Sequence, residues 1–189
     1  MRIPKEKKEA VRFEIKRLEK EHLDCVEETD RKISETLIRF FEESEAETYF
    51  CYIPFQNEPD IMPAILRAKE MKKKIAVPRC EKNGVMTAVL LEDIKDLTPG
   101  MYGILEPGGE LSAIDAENID VILLPGVAFS ESGKRLGRGG GYYDRFCKGF
   151  RGIMVGIARE YMLQDDLPCE RHDVDVDVII TEKRMIRTK

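Results

Sequence analysis

An α/β fold built on a mainly parallel sheet is predicted by three observations. Residues 48–77 read strand, loop, helix, strand, the repeating unit of a parallel sheet. Val121, Ile122, Leu123 and Leu124 form an unbroken apolar run with the length and branching of a buried strand. Gly152 to Ala158, GIMVGIA, follows a short helical stretch and reads as a further strand whose small residues permit close approach.

Taken in order, residues 5–22 carry Val11, Ile15 and Leu18 at helical spacing with charge around them, an amphipathic helix whose Lys7, Lys8, Arg12, Lys16 and Arg17 read as a solvated face. A second helix, 29–43, puts Ile33, Leu37, Phe40 and Phe41 on one side. TYFCYI, residues 48–53, is β-prone and is cut off by Pro54. A polar loop, a helix over 60–71 and a strand over 74–77 ended by Pro78 follow. Glu58 and Arg79 then fall just past two strand ends, where ligands of parallel sheets gather, although each alone reads as a loop charge. Residues 85–91 form another strand, and Pro99 to Gly109, with Tyr102 and Glu106, reads as a surface loop. A helix is expected over 143–148. In DVDVDVIIT, residues 173–181, Asp173, Asp175 and Asp177 alternate with valines, which puts them on one face of an extended segment. The residues alone favour a solvent-facing acidic edge over a metal ligand there.

The chemistry is expected in the segment after the central strand. Pro125 and Gly126 stop that strand, and a polar turn leads to Arg135, Gly137, Arg138, Gly139, Gly140 and Gly141, followed by Tyr142, Tyr143 and Asp144. Glycines let peptide N–H groups approach an anion closely, and a helix beginning near Gly140 or Gly141 adds its unpaired N–H groups. Arginines supply full charge in a fork that matches phosphate oxygens. Asp144 follows closely enough to hold magnesium against that phosphate. These parts make a polyphosphate site, though neither a P-loop nor a dinucleotide fingerprint, because no Gly-Lys-Ser/Thr follows and the glycines alternate.

With 189 residues, 42% hydrophobic and 35% charged, the composition is that of a globular protein, and one domain is the default. A net charge of −5 argues against general nucleic-acid binding. Cys25, Cys51, Cys80, Cys147 and Cys169 are scattered without a Cys-x-x-Cys pair, which suits reduced thiols in a cytoplasmic protein rather than a disulfide frame or zinc site. His22 and His172 lack ligand-type neighbours at zinc spacing and read as ordinary surface residues. The opening MRIPKEKKEAVR has no apolar signal core, and no run approaches the roughly 18 residues of a membrane span, so a cytoplasmic location without membrane contact is expected.

LPGVAF, then GKRLGRGGGYYDRF, with VDVDVIIT near the end and KKEAVRFEIKRL at the start, closely resembles the 5-formyltetrahydrofolate cyclo-ligase (methenyltetrahydrofolate synthetase) family. The likeness runs along essentially the whole chain and includes VPR at Val77 to Arg79 and GILEP at Gly103 to Pro107. It implies a single domain over 1–189, a three-layer α/β/α sandwich with a Rossmann-like sheet. It also implies ATP- and Mg2+-dependent closure of 5-formyltetrahydrofolate to 5,10-methenyltetrahydrofolate by a monomer or weak homodimer, with ADP and phosphate released through a phosphorylated formyl (imidate) intermediate.

Carried over by position, Arg135, Leu136, Gly137, Arg138, Gly139, Gly140, Gly141, Tyr142 and Tyr143 would cradle the ATP phosphates, with Arg138 and Tyr143 acting in catalysis. Lys8 and Arg12 match the family's ATP-contacting basic pair on the first helix. Ile53 and Glu58 match its folate site, joined by Glu106 and Tyr142. Asp144 and Asp177 match the magnesium positions, which reverses the reading of the acidic segment for Asp177 alone. Ser130 replaces a common Asp, Tyr102 stands where an aromatic commonly precedes the Ile/Pro segment, and Pro54 and Phe55 replace small or polar residues near the folate site. Two other readings stay open: an ATP-binding kinase-like or sensing protein for a different pterin or small acceptor, and a non-catalytic interaction domain.

Overall fold

In the computed structural model, which describes residues 5–81, 84–100, 103–109, 112–170 and 173–188, alternation along the central strands sets the architecture. The strands are β1 (Thr48–Phe50), β2 (Lys74–Cys80), β3 (Met86–Leu90), β4 (Leu97–Pro99), β5 (Leu105–Pro107), β6 (Ala113–Ile114), β7 (Val121–Pro125), β8 (Ala128–Phe129), β9 (Arg135–Leu136), β10 (Ile153–Ile157), β11 (Val178–Ile180) and β12 (Met185–Arg187). The helices are α1 (Lys5–Glu21), α2 (Val26–Glu43), α3 (Met62–Glu70) and α4 (Tyr142–Phe146). Eight strands form one sheet in the order β12-β11-β10-β7-β1-β2-β3-β6, and two hairpins, β4–β5 and β8–β9, lie outside it. The pairings from β11 through β10, β7 and β1 to β2 are parallel, whereas β12, β3 and β6 pair antiparallel at the two sides.

Successive side chains of a strand point to opposite faces, so a strand covered on both sides must be apolar throughout. Every residue of β7 is buried. Val121 and Leu123 join the core formed with Ile33, Leu37 and Phe41 of α2 and Ala64, Ile65 and Ala68 of α3. Ile122 and Leu124 join the opposite core, with Ile15 of α1, Phe129 and Cys147. The sheet is therefore sandwiched between two helical layers, as expected. Each fully buried Ile, Leu or Phe of α2 contributes about 1.5–3 kcal/mol.

Several elements depart from expectation. Strand β2 runs through Pro78 to Cys80 instead of stopping at Val77, placing Arg79 inside the strand opposite Thr87. Strand β1 pairs with it only as far as Phe50, so Pro78 has a strand partner on the β3 side alone, and its missing N–H removes no bond to β1. The turn-rich stretch holds the β4–β5 hairpin, closed by Gly100 N–H donating to Ile104 O at 2.7 Å. Residues 173–177 form no strand, and Asp173, Asp175 and Asp177 do not share one exposed face. Asp173 accepts from Lys8, Asp175 from Lys134 and Asp177 from the Met154 amide. His22 stacks on Tyr161 with ring centroids 4.6 Å apart. Tyr102 and His172 lie outside the described residues.

Candidate functional site

The parallel strands point the same way, so the segments leaving β1, β2 and β7 emerge together at one end of the sheet. They surround a cavity of about 1210 Å³. Its wall includes Ile53 and Glu58 after β1, Pro78 and Cys80 of β2, and Glu106 of β5. Pro125, the whole run Arg135–Arg145, and Lys8 and Arg12 of α1 complete most of it. Every expected site residue except Asp177 lines this one cavity.

The glycine loop bends where its sequence allows. Gly139 and Gly141 have φ of +101° and +67°, backbone that a Cβ disfavours, which accounts for two of the alternating glycines. Carbonyl oxygens that would repel an anion are engaged by arginines. Arg12 donates Nε and Nη2 to Gly137 O at 3.1 and 2.9 Å, and Arg145 donates Nη2 to Gly140 O at 2.8 Å. Helix α4 has five residues and begins at Tyr142, one residue earlier than expected, after Gly141.

Arg135 and Arg138, three residues apart, occupy opposite environments. The Arg135 side chain is 3% exposed, donating to Pro125 O at 3.0 Å and to Asp144 Oδ1 at 2.8 Å, with the guanidinium carbon 5.7 Å from the Tyr143 ring centre. Its Nε–H is buried with no acceptor among the described residues. Arg138 is 45% exposed and reaches across the cavity mouth to Glu58 Oε1 at 3.0 Å, Gln56 Oε1 at 2.7 Å and Phe55 O at 3.2 Å. The glycine loop and the segment after β1 are thereby tied together.

Burial pushes the Glu58 carboxyl above its ordinary value, against the pull of Arg138 and of the Phe55 N–H that donates to Oε2 at 3.1 Å. Burial likewise lifts the Tyr143 phenol well above its usual range, so it stays protonated near neutrality. For Lys8, burial disfavours the charge, but bonds to Asp173 at 2.6 Å and Glu170 at 3.2 Å outweigh it and raise the amine. The Cys80 thiol is pushed up to about 11 by burial and by Glu106, which makes it a poor nucleophile at neutral pH.

Asp177 is not brought to the cavity. It precedes β11 and therefore sits at the amino end of the parallel strands, its Oδ2 accepting from Met154 N at 2.9 Å. Asp173 lines the cavity instead, one residue before Val174, whose N–H donates to Asp144 Oδ1 at 3.1 Å. The alternation of acidic residues could not identify which one would turn inward. Lys5, Arg145, Lys148 and Glu170 also line the wall and were missed. Of these, Arg145 alone had a local cue, its place one residue after Asp144.

The donor set suits a polyanion: cations from α1, the glycine loop and α4 converge, and Arg135 holds a buried donor that an anionic oxygen would satisfy. Magnesium is commonly held by one or two carboxylates together with substrate phosphates. Asp144 fits that role, because both of its hydrogen bonds among the described residues use Oδ1. Among the described residues no cluster of three or more His, Cys, Asp or Glu gathers for a metal, and no helix is long and apolar enough to cross a membrane.

Comparison with known proteins places this arrangement in context. The model of the 5-formyltetrahydrofolate cyclo-ligase family matches residues 4–182. A mitochondrial 5-formyltetrahydrofolate cyclo-ligase of Arabidopsis thaliana is 32% identical over 140 residues, covering 61% of this chain and 49% of that protein. A probable 5-formyltetrahydrofolate cyclo-ligase of Schizosaccharomyces pombe is 32% identical over 131 residues, covering 61% of this chain and 64% of that one. The matched stretch thus spans less than two thirds of either relative. The NMR structure of Aquifex aeolicus 5,10-methenyltetrahydrofolate synthetase superposes with a TM-score of 0.81 at 31% identity, covering 96% of this chain and 93% of that one.

Proposed function

Because this chain belongs to the 5-formyltetrahydrofolate cyclo-ligase family, we propose that it closes 5-formyltetrahydrofolate to 5,10-methenyltetrahydrofolate at the expense of ATP. The observation that carries this reading is the Arg138–Glu58 pair, which joins a polyphosphate-type loop to the wall nominated for the folate. Two ligands bound on either side of that pair would have their reacting ends adjacent.

In this reading the formyl oxygen attacks the γ-phosphorus of ATP, the bond to the bridging oxygen breaks, and ADP leaves. The neighbouring folate nitrogen then forms a bond to the activated carbon, loses its proton, and phosphate departs with the former formyl oxygen. Arg135 and Arg138, with the Gly137–Gly141 backbone, hold and neutralise the phosphates; Arg12 of α1 supports the loop through Gly137 O, and Lys8, held by Glu170 and Asp173, adds its charge to the same wall. The protein's part in such phosphoryl transfer is positioning and charge stabilisation. Tyr143, protonated and packed on Arg135, supplies rigidity and a hydroxyl donor rather than a base. Glu58, with Ile53, Glu106 and Tyr142 around it, receives the pterin. Asp144 would hold magnesium beside the phosphates, where the ion would supply charge neutralisation. Asp177 has no place in this scheme.

The test is ultraviolet absorbance of purified protein with magnesium, ATP and 5-formyltetrahydrofolate. Growth of the methenyl band is expected, with none when ATP is omitted. Protein that binds ATP yet never produces the band would exclude this reaction.

A further inference from the structure

The segment that carries Glu58 has no regular structure, yet its carbonyl oxygens from Asn57 to Asp60 are all held by side chains. Four successive carbonyl oxygens accept from side chains on three other parts of the chain. Arg159 Nη1 donates to Asn57 O at 2.8 Å and Nη2 to Glu58 O at 3.4 Å, Tyr52 Oη donates to Pro59 O at 2.8 Å, and Ser34 Oγ donates to Asp60 O at 3.0 Å. Gln56, at the start of this segment, has φ of +56°, a left-handed conformation that a glutamine keeps only where its surroundings enforce it.

Arg159 is the centre of this support. It follows Ala158 at the carboxyl end of β10, is 3% exposed, and forms a two-pronged pair with Asp30 of α2, Nε to Oδ1 and Nη2 to Oδ2, both at 2.8 Å. A contact from Nη1 to Tyr161 Oη at 3.3 Å gives the remaining N–H an acceptor, so all five guanidinium donors are accounted for. Asp30 in turn accepts from Asp60 N at 2.9 Å. A buried ion pair is weak evidence for stability in itself, since apolar residues of like volume commonly do as well. What this pair does that apolar residues cannot is hold two carbonyls, of Asn57 and Glu58, at fixed positions. Arg159 does not line the cavity, and Asp30 neutralises it, so it exerts its effect on geometry rather than by attracting a ligand.

We propose that Arg159, held by Asp30, is a positioning residue that fixes Glu58 from beneath for the formylated substrate, while Arg138 meets the same carboxylate from the cavity side. This rests on the reading of Glu58 as a substrate contact in the cyclisation. Arg159→Lys keeps the charge but cannot span Asp30 and both carbonyls. Asp30→Asn combined with Arg159→Met removes both charges and so avoids stranding a buried carboxylate.

The experiment measures KM for 5-formyltetrahydrofolate and for ATP, with the thermal midpoint, in wild type and both variants. Misplacement on the order of 1 Å lowers catalytic efficiency by up to roughly 100-fold. At least a tenfold rise in the folate KM is therefore expected, with the ATP KM within twofold and the midpoint little changed in the doubly neutral variant. Adding Glu58→Gln to Arg159→Lys should raise the folate KM no further than Glu58→Gln alone, because the effect runs through Glu58. A folded variant with the wild-type folate KM would overturn the proposal, as would additive effects with Glu58→Gln. Failure of both variants to fold would assign the pair to stability alone. Absence of cyclisation by wild-type protein would instead overturn the functional reading, and this proposal with it.

Discussion

Arg138 and Asp144 both touch the proposed phosphate site, but burial makes their substitutions different experiments. Arg138 is 45% exposed and its ion pair with Glu58 lies at the cavity mouth, so Arg138→Ala should change stability by no more than about 1 kcal/mol. Loss of a preorganised charge on the transferring group should lower turnover by about 100-fold or more, read in the absorbance assay beside a urea melt. Asp144→Asn instead leaves the buried Arg135 guanidinium without its anion. It should lower unfolding free energy by about 1–3 kcal/mol. A melt superimposable on wild type would show that Arg135 does not depend on Asp144. Glu58 supplies a pH test. Its folded carboxyl lies above the ordinary 4.5, chiefly through burial. The folded state therefore binds the proton more tightly than the unfolded chain. That contribution to stability is full below the unfolded value and is lost as pH rises through the folded one. If the charged form receives the pterin, kcat/KM should rise over the same window, an acid limb above 4.5 that Glu58→Gln removes. The limb unchanged in that variant would assign it to another group.

The glycine loop and the hairpin that precedes it separate function from folding at the level of elements. At Gly139 an added Cβ would meet the Arg12 guanidinium at ordinary contact distance, 3.5 Å to Nη2, so the difficulty there is the φ of +101°. The loop is exposed and can shift, so Gly139→Ala should weaken ATP binding, by roughly tenfold for about 1–2 kcal/mol of backbone strain, with little change in melting. At Gly133, in the turn between β8 and β9, the Cβ would lie 2.5 Å from the Val176 carbonyl oxygen, a backbone atom, at φ +86°. Gly133→Ala should lower stability by roughly 2–3 kcal/mol while leaving the ATP KM unchanged in protein that remains folded. Equal melting losses in the two variants, measured by calorimetry, would remove this distinction. Both glycines stand in the same run of sequence, and their different surroundings follow from tertiary packing: Val176, from the segment before β11, comes back against Gly133.

Across the molecule, local pattern announced the parallel core and the glycine loop, because each lies within one short run: the apolar residues of β7 and the Arg-Gly-Tyr-Asp stretch after it. What depended on distant pairing was not legible. Asp30 and Arg159 are 129 residues apart, and neither stands in a motif. The turning inward of Asp173 rather than Asp177 depends on Lys8 of α1. The cavity wall draws on α1, the segment after β1, β2, β5, the glycine loop, α4, and Glu170, Asp173 and Val174, so a ligand there would brace elements from nearly the whole chain. That has a thermodynamic consequence. A ligand bound only by the folded state at 100 times its Kd adds about 2.7 kcal/mol. For a chain of this size that is a rise in Tm of roughly 5–10 °C. ATP with magnesium should produce such a rise in wild type, and chelation of the metal should shrink it. Gly133→Ala should retain the increment from a lower starting Tm, whereas Arg138→Ala should lose much of it from a nearly unchanged one. A Tm indifferent to saturating magnesium-ATP would mean that this cavity does not take the nucleotide, however well its charges suit one.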